Sequence, residues 1–247
     1  MENIKYGGVM AIAAHPDDVE LGCSGALLVE KSLGKYITLV DLTEGELGTR
    51  GTIDSRYAEA RDSAEILGVD ARVNLRYPDG FFTNSKEYQL GIIEQIRRYR
   101  PEIVLANAPE DRHPDHGRAA QLIKDAVWLS GLRKIETRDE NGQLQEPFRP
   151  TNLYHFIQDT FLMPTFIYDI SDVIDKKVAS IKAYKTQFNT VDASEPETYI
   201  SNPAFLENII QKNAMLGRMI GVKYGEGFVT SVVPGIKSFD KFSHKNR

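Results

Sequence analysis

Residues 9–28 have the sequence VMAIAAHPDDVELGCSGALL, in which an apolar run is followed by a polar turn and a second apolar segment. The run Val9–Ala14 has the length and continuous apolar character of a strand that is buried on both faces. The following segment Gly22–Leu33, with its apolar residues Leu27 to Val29, predicts a helix. A buried strand that passes through a tight turn into a helix is typical of the first unit of a parallel α/β sheet.

The same alternation continues through the first half of the chain. Apolar runs predict further strands at Tyr36–Leu42, Val73–Tyr77 and Glu102–Ala106. Helical patterns are found at Arg56–Leu67, Leu90–Tyr99 and Gly117–Leu129. Strands that alternate with helices imply right-handed crossovers, so we expect an α/β fold with a Rossmann-like, mostly parallel sheet and helices on both faces.

The second half of the chain has a less regular pattern. Apolar runs at Leu153–Ile157 and Phe166–Ile170 predict two strands, and residues 187–203 have the composition of a loop. Helices are predicted from Ser171 to about Tyr184 and over Pro203–Met219. Because no internal repeat or linker is evident, we expect a single domain over residues 1–247 with a C-terminal elaboration.

Composition restricts the function classes. The formal net charge is −5 and the pI is about 5.6, which gives no basic footprint for nucleic acid. We interpret the basic C-terminal residues Lys237, Lys241, Lys245 and Arg247 as a solvated tail. The single cysteine, Cys23, cannot form an internal disulfide, which agrees with a reducing compartment. Neither a signal peptide nor an apolar run of about 20 residues is present, so we expect a cytoplasmic protein without a membrane partner.

Two near-copies of one tetrapeptide stand out: HPDD at 15–18 and HPDH at 113–116. Each follows the carboxyl end of a predicted strand, and together they hold three of the five histidines. One such triplet is usually only a turn with a capping aspartate. In a doubly wound sheet, however, ligands bind where the strand order reverses. If the first and fourth strands are neighbours there, both tetrapeptides meet in one crevice and predict a metal site.

The residue types fit hydrolytic metal chemistry. A catalytic zinc site uses three ligands from His, Asp and Glu and leaves one position for water. Two imidazoles and one carboxylate leave net positive charge, which lowers the pKa of bound water towards about 7. The adjacent Asp17 and Asp18 can supply both a ligand and a base.

Three other classes of protein agree less well with the sequence. A non-haem iron(II) oxygenase also uses two histidines and a carboxylate, but the parallel α/β pattern and the second acid are against it. A nucleotide-binding module would need a glycine-rich loop after the first strand, where this chain has carboxylates instead. A non-catalytic protein stabilised by a structural zinc would usually supply four ligands rich in cysteine, and only one cysteine is present.

Several segments, in this order and strand context, resemble the PIG-L/LmbE-like zinc-dependent N-deacetylase family. They are AIAAHPDDVELGCSGALL, LTEGELGTRG, the PDG at 78–80 and the HPDHGRAA that begins at His113. The resemblance covers most of the chain and is closest to members that act on N-acetylglucosaminyl-malate in bacillithiol biosynthesis. One departure is Ser24, where relatives usually have glycine.

The resemblance implies a role for each matching residue. Zn²⁺, or another divalent first-row metal, would be held by His15, Asp18 and His116. Asp17 would be the general base, while His113 would stabilise the oxyanion or act as an acid and Asp115 would orient His113. The implied substrate-binding residues are Arg56, Glu46 and Asp79.

The implied reaction is removal of the N-acetyl group from a small amino-sugar substrate. N-acetylglucosaminyl-malate is the expected substrate, and another N-acetylglucosaminyl conjugate or a chito-oligosaccharide is the alternative. The two carboxylates of malate need a cationic partner, for which Arg56 and Arg112 are the candidates. The family resemblance also implies a homo-oligomer such as a hexamer.

Overall fold

The structure, a computed structural model, describes residues 8–188 and 196–235. Its strands are β1 Val9–Ala13, β2 Ile37–Thr43, β3 Ala71–Tyr77, β4 Ile103–Asn107, β5 Asn152–Phe156, β6 Phe166–Asp169 and β7 Gly225–Val229. Its helices are α1 Asp18–Gly22, α2 Ser24–Ser32, α3 Ile53–Leu67, α4 Lys86–Tyr99, α5 Pro114–Leu129, α6 Ile174–Lys182, α7 Lys185–Phe188 and α8 Pro203–Met219. The basic tail interpreted as solvated lies outside these residues.

All seven strands form one sheet in the order β3-β2-β1-β4-β5-β7-β6. The first five are parallel, and β7 runs antiparallel to both β5 and β6. The expected α/β fold with a mostly parallel sheet is therefore confirmed, with β6 and β7 as its C-terminal elaboration. β1 lies between β2 and β4, so the strand order reverses beside β1. This is the arrangement that was expected to bring the two tetrapeptides into one crevice.

Alternate residues of β1 point to opposite faces of the sheet and belong to different core clusters. Met10 and Ile12 pack with residues of α4 and α5, whereas Ala11 and Ala13 pack with α2. Every residue of β1 is buried, which explains why the strand is apolar throughout. Helices therefore cover both faces of the sheet, as predicted. In the part of the chain that the structure describes, no helix is both long and apolar enough to cross a membrane.

The helix predicted over Gly22–Leu33 corresponds to α2, and a short helix that was not predicted, α1, precedes it. A break at Cys23, with a φ of −147°, separates the two helices. Gly22 packs so closely on β5 that a Cβ there would lie 2.2 Å from Cδ2 of Phe156. The sequence pattern shows the apolar face but not this break, because the break depends on a strand more than a hundred residues away.

The C-terminal half contains the largest differences from the predicted elements. β7 was not predicted, since its sequence GEGFV holds two glycines and a glutamate, which have low strand propensity. The helix predicted from Ser171 to about Tyr184 corresponds to α6, and the short α7 follows beyond the predicted end. The helix over Pro203–Met219 is confirmed. The parallel strands and the antiparallel pair share one sheet, and a single domain over residues 1–247 stays a prediction.

A partly buried arginine, Arg72, joins β3 to β2 and to α1. Arg72 donates from Nε and Nη2 to the two carboxylate oxygens of Asp41 on β2, each at 2.8 Å. Its Nη1 donates to Glu20 of α1, also at 2.8 Å. Both acids are fully buried, so the arginine supplies the charge that offsets their desolvation.

We therefore expect Arg72→Met to lower the free energy of unfolding by about 3–5 kcal/mol, because it leaves two carboxylates buried without a cation. The control is Arg61→Met on α3, where the side chain is largely exposed, and it should change stability by less than about 0.5 kcal/mol. Thermal or urea unfolding of both variants measures the difference. Equal stabilities for Arg72→Met and Arg61→Met would contradict the role of the arginine.

Candidate active site

The two tetrapeptides meet at the carboxyl ends of the neighbouring strands β1 and β4. The ring centroid of His15 lies 4.8 Å from that of His113 and 5.7 Å from that of His116. The centroids of His113 and His116 are 5.3 Å apart. One nitrogen from each of the three rings lies within 4.8 Å of the others, as a shared metal ion would require.

Asp17 has an unusual backbone conformation. Its φ of 121° and ψ of −24° lie in a region that residues other than glycine rarely adopt. Such a conformation costs about 1–3 kcal/mol and persists only where the surroundings enforce it. Here Asp17 is the N-cap of α1, yet its side chain makes no capping hydrogen bond. The buried carboxylate is therefore left to line the cavity beside the histidines.

The carboxylate of Asp18 lies between two histidines. Its Oδ1 is 3.1 Å from Nε2 of His116, and its Oδ2 is 3.5 Å from Nδ1 of His15. Around a tetrahedral zinc with bonds of about 2.0–2.2 Å, neighbouring ligand atoms are roughly 3.3–3.6 Å apart. The distances from Asp18 to the two histidines are therefore close to those between ligands of one zinc ion.

Two amides hold the same carboxylate from the other side. Gln158 donates to Oδ1 of Asp18 at 2.8 Å, and Asn107 donates to Oδ2 at 3.1 Å. Asn107 also accepts the backbone N–H of Ala14, so it fixes the end of β1 and the carboxylate together. The position of Asp18 is thus set by residues from β4 and from the segment after β5.

Each of these histidines carries a carboxylate on its far nitrogen. Nε2 of His15 is 3.0 Å from Oδ1 of Asp79 and 3.3 Å from Oδ2 of Asp115. Nδ1 of His116 is 2.7 Å from Oδ2 of Asp111. This arrangement fixes the tautomer and leaves Nδ1 of His15 and Nε2 of His116 for a metal. His15, Asp79 and Asp115 also lie close enough to hold an ion, but the same contacts account for the orientation of His15.

His113 is the N-cap of α5, and its Nδ1 accepts the backbone N–H of Asp115 at 3.3 Å. Burial and the charges of His15 and His116 lower the pKa of His113. A ring that accepts at Nδ1 while neutral carries its proton on Nε2, so His113 can donate one hydrogen bond into the cavity.

Asp115 was expected to orient His113, but only its backbone N–H makes the hydrogen bond described above. Its carboxylate contacts His15, accepts the backbone N–H of Gly80 at 2.9 Å and pairs with Arg118 at 2.7 Å. The side chain of Asp115 therefore orients His15 more directly than it orients His113.

Arg56 lies in the wall of the cavity and is only 7% exposed. Its Nη1 donates to the carbonyl of Pro16 at 2.7 Å and lies 3.4 Å from Oδ2 of Asp17. Its Nη2 donates to Gln187 at 3.0 Å. Most of the guanidinium is thus engaged with the turn that carries Asp17, which leaves little of it for a substrate.

The acids Glu46 and Asp79 were expected near sugar hydroxyls. Glu46 accepts the backbone N–H of Asp79 at 2.7 Å, and Asp79 accepts that of Leu47 at 3.0 Å. They therefore fasten the loops after β2 and β3 to each other. Asp79 also lines the cavity, where its contact with His15 outweighs burial and lowers its pKa to about 2.

Burial raises the pKa of Asp17 to about 7 in the metal-free protein. The charge of Asp18 adds to this rise, whereas Arg56 opposes it. Asp17 is therefore the one acid of the tetrapeptide poised to exchange a proton near neutral pH. Asp18 has the opposite shift: burial alone would raise its pKa, but His116 and His15 hold it well below the usual range.

These side chains line a cavity of about 360 Å³, within the size range of small-molecule sites. Its wall also includes Arg112, Tyr199 and Gln158. Sequence reasoning missed Asn107, Asp111 and Gln158 as partners of the tetrapeptides. Asn107 and Asp111 could have been suspected from their place between β4 and the HPDH motif, whereas Gln158 follows β5 without any motif.

A parallel α/β sheet with a His/Asp cluster suited to a metal and a second buried carboxylate at its switch point is typical of a metal-dependent hydrolase. The sequence model of the PIG-L family, described as GlcNAc-PI de-N-acetylase, matches residues 10–127. A diacetylchitobiose deacetylase from Thermococcus kodakarensis is 30% identical over 239 residues, which cover 92% of this chain and 84% of that protein.

Two further comparisons cover most of the chain. The crystal structure of a conserved Thermus thermophilus protein is 35% identical, covers 94% of this chain and 97% of its own, and has a TM-score of 0.82. A probable N-acetyl-α-D-glucosaminyl L-malate deacetylase from Bacillus anthracis is 23% identical over 77% of this chain and 84% of its own. The chain belongs to the PIG-L family of metal-dependent N-deacetylases.

The contacts of His116 predict how the metal-free protein responds to pH. Burial opposes its charge, but Asp18 and Asp111 raise the pKa of His116 to about 9, above the value of about 6.5 for an unfolded histidine. Its contribution to stability is therefore complete below about pH 6.5 and is lost as the pH rises through about 9. NMR titration of the histidine rings measures this pKa, with His155, whose pKa is lowered by burial, as the internal control. A His116 that titrates below His155 would contradict the described contacts.

Proposed function

We propose that the protein removes the N-acetyl group from an N-acetylglucosaminyl conjugate, using Zn²⁺ held by His15, Asp18 and His116. The observation that carries this proposal is the buried carboxylate of Asp17, paired only with Arg56 among the described contacts, beside histidines whose far nitrogens are held by carboxylates. Another first-row divalent ion suits the same donor set. We also propose that the enzyme works in the cytoplasm, as its composition predicts, and that it is a homo-oligomer, as the family resemblance implies.

When bound, the metal would polarise the substrate carbonyl and lower the pKa of the attacking water. Asp17 takes the proton of that water, a role for which its buried carboxylate, which is not one of the proposed ligands, is placed in the cavity wall. Arg56 holds the turn that carries Asp17 through the carbonyl of Pro16. The water oxygen adds to the acetamide carbon, the C–N bond then breaks, and the products are acetate and the free amine.

His113 acts on the oxygen that becomes negative during this addition. As a neutral ring with its Nδ1 occupied by the backbone of α5, it donates from Nε2 to the developing oxyanion. The proton that Asp17 has taken is then passed to the departing amine. In this mechanism Asp79, Asp115 and Asp111 stay ionised and keep His15 and His116 in the orientation for metal binding.

The finer proposal is that the sugar carries malate. A dicarboxylate needs a cation, and Arg112 stands at the mouth of the cavity with 48% of its side chain exposed. The contacts described for it are Nε with Asp159 at 2.5 Å and the ring of Tyr199 at 4.2 Å. This leaves its terminal N–H groups for a carboxylate, which a guanidinium binds in a bidentate manner.

A chito-oligosaccharide is the second candidate substrate. The ring of Tyr199 is 56% exposed at the same mouth and offers an apolar face with a polar tip, on which a second sugar could pack. The two substrates differ in charge, so the salt dependence of KM separates them: only a malate conjugate should bind markedly more weakly at high salt.

The proposed function is tested by measuring acetate release from N-acetylglucosaminyl-malate and from diacetylchitobiose, with and without a chelator. We expect release from at least one, complete loss of activity after chelation, and recovery on addition of Zn²⁺ or another first-row divalent ion. An active preparation shown by mass spectrometry to be metal-free would refute the metal mechanism. Absence of acetate release from both conjugates by the metal-loaded enzyme would refute the proposed substrate class.

The adjacent acids give a sharper test, because Asp17→Asn and Asp18→Asn are the same chemical change one residue apart. Asp17→Asn should keep the metal and lose about 10²-fold or more in kcat, since an amide cannot accept the proton of water. Asp18→Asn should lose metal and activity together. Metal content and steady-state kinetics are measured side by side. If the metal is lost from Asp17→Asn and kept in Asp18→Asn, the two roles must be exchanged.

A further inference from the structure

The segment that carries Asp17 and Asp18 continues into a broken helix. α1 has only five residues, too few to be stable by itself. Its last carbonyls have no following helical turn to bind, because α2 begins on the other side of Cys23. The N-cap of α2, Cys23, likewise makes no side-chain hydrogen bond to the first N–H groups of that helix. All these polar groups are buried and need partners.

Two residues from the C-terminal half supply those partners. Nζ of Lys177, on α6, donates to the carbonyls of Glu20 and Leu21 at 3.0 and 2.9 Å. Glu226, on β7, accepts the N–H groups of Gly25 and Ala26 at 2.9 and 2.7 Å. The end of α1 and the start of α2 are thus both capped from outside their own segment.

The two capping residues also bind each other. Nζ of Lys177 lies 2.7 Å from Oε1 of Glu226, and both side chains are almost completely shielded from solvent. Burying two charges costs several kcal/mol per ion, and an apolar pair of similar size is often as stable. Stability alone therefore does not account for the pair. Its backbone contacts lie at the end of α1, the helix that follows Asp17 and begins at Asp18, and at the start of α2.

The local sequence fits this arrangement. A Cβ at position 25 would lie 2.9 Å from Oε1 of Glu226 and 2.7 Å from Ile170, so only glycine lets the carboxylate approach the start of α2. Ser24, the departure noted from the usual glycine, donates its hydroxyl to the carbonyl of Glu20 at 2.8 Å. The serine therefore joins Lys177 in binding the end of α1.

We propose that Lys177 and Glu226 are positioning residues for the reaction, which clamp the junction of α1 and α2 and thereby fix Asp17 and Asp18 in the metal centre. This inference rests on the proposed roles of the two aspartates. Neither Lys177 nor Glu226 touches the substrate. A displacement of about 1 Å at a reacting group can cost 10²-fold in rate, so loss of the clamp acts on the chemical step.

The test compares Lys177→Met with the double variant Lys177→Met/Glu226→Gln. The single variant leaves a buried carboxylate unpaired and should be markedly less stable. The double variant removes that charge and should recover much of the stability, yet the carbonyl of Leu21 lacks its donor and that of Glu20 keeps only the hydroxyl of Ser24. We therefore expect kcat of the folded double variant to be about 10–100-fold below wild type, with KM within about twofold. The control is Lys176→Met, an exposed lysine on the same helix, which should behave as wild type.

Two measurements without substrate complete the test. In the double variant, the amide protons of Gly25 and Ala26 should exchange faster than in wild type, and Zn²⁺ affinity should fall about tenfold because Asp18 is less well held. If Lys177→Met does not fold, Lys177→Gln, whose amide can still donate a hydrogen bond to the carboxylate of Glu226, is measured in its place. Wild-type kcat, exchange and Zn²⁺ affinity in the folded double variant would overturn the clamp. If the wild-type enzyme releases no acetate, the proposed function is contradicted. The clamp is then tested by amide exchange and Zn²⁺ affinity alone.

Discussion

The parallel pairing of β1 with β4 is the constraint on which the site depends. Register places Ile12 beside Ala106, so the two strands end side by side and their following loops leave at the same edge of the sheet. The HPDD and HPDH tetrapeptides are about a hundred residues apart in the chain, and this hydrogen-bonded pairing alone brings them together. Asn107, at the end of β4, then ties the end of β1 to the carboxylate of Asp18. The same strand pairing that buries the core thus sets the spacing of the histidines.

The meeting of the two tetrapeptides also concentrates charged side chains in one site. Three imidazoles share the site with five carboxylates, those of Asp17, Asp18, Asp79, Asp111 and Asp115. Without a metal, the neighbouring carboxylates raise the pKa values of His15 and His116, whereas burial is the main cause of the raised pKa of Asp17. Burial works against the histidine charges, and the neighbouring acids outweigh it. A divalent cation replaces the protons of these histidines, so the site is electrostatically complementary to a metal before any metal arrives.

The sequence indicated the parallel sheet and the meeting of the tetrapeptides, because both follow from patterns that repeat locally: apolar strands, helical periodicity and one motif at two strand ends. It did not indicate β7, whose glycines conceal a strand, nor Gln158 and Lys177, whose partners lie far away in the chain. The side-chain contact of Asp115 differed from the expected one for a related reason. Its neighbour in sequence is His113, but the loop that carries Gly80 brings the carboxylate to His15. Contacts decided by packing between distant segments leave no local pattern to read.

The backbone of Asp17 has a consequence for the evolution and engineering of the protein. At φ 121° an L-residue is strained and glycine is not, so Asp17→Gly would relieve strain at the most reactive point of the fold. It would also remove the proposed base. Stability and activity are therefore opposed at this position, and any programme that selects only for thermostability will favour the residue that abolishes turnover. An aspartate kept at this strained position is therefore explained by selection for catalysis and not by selection for stability.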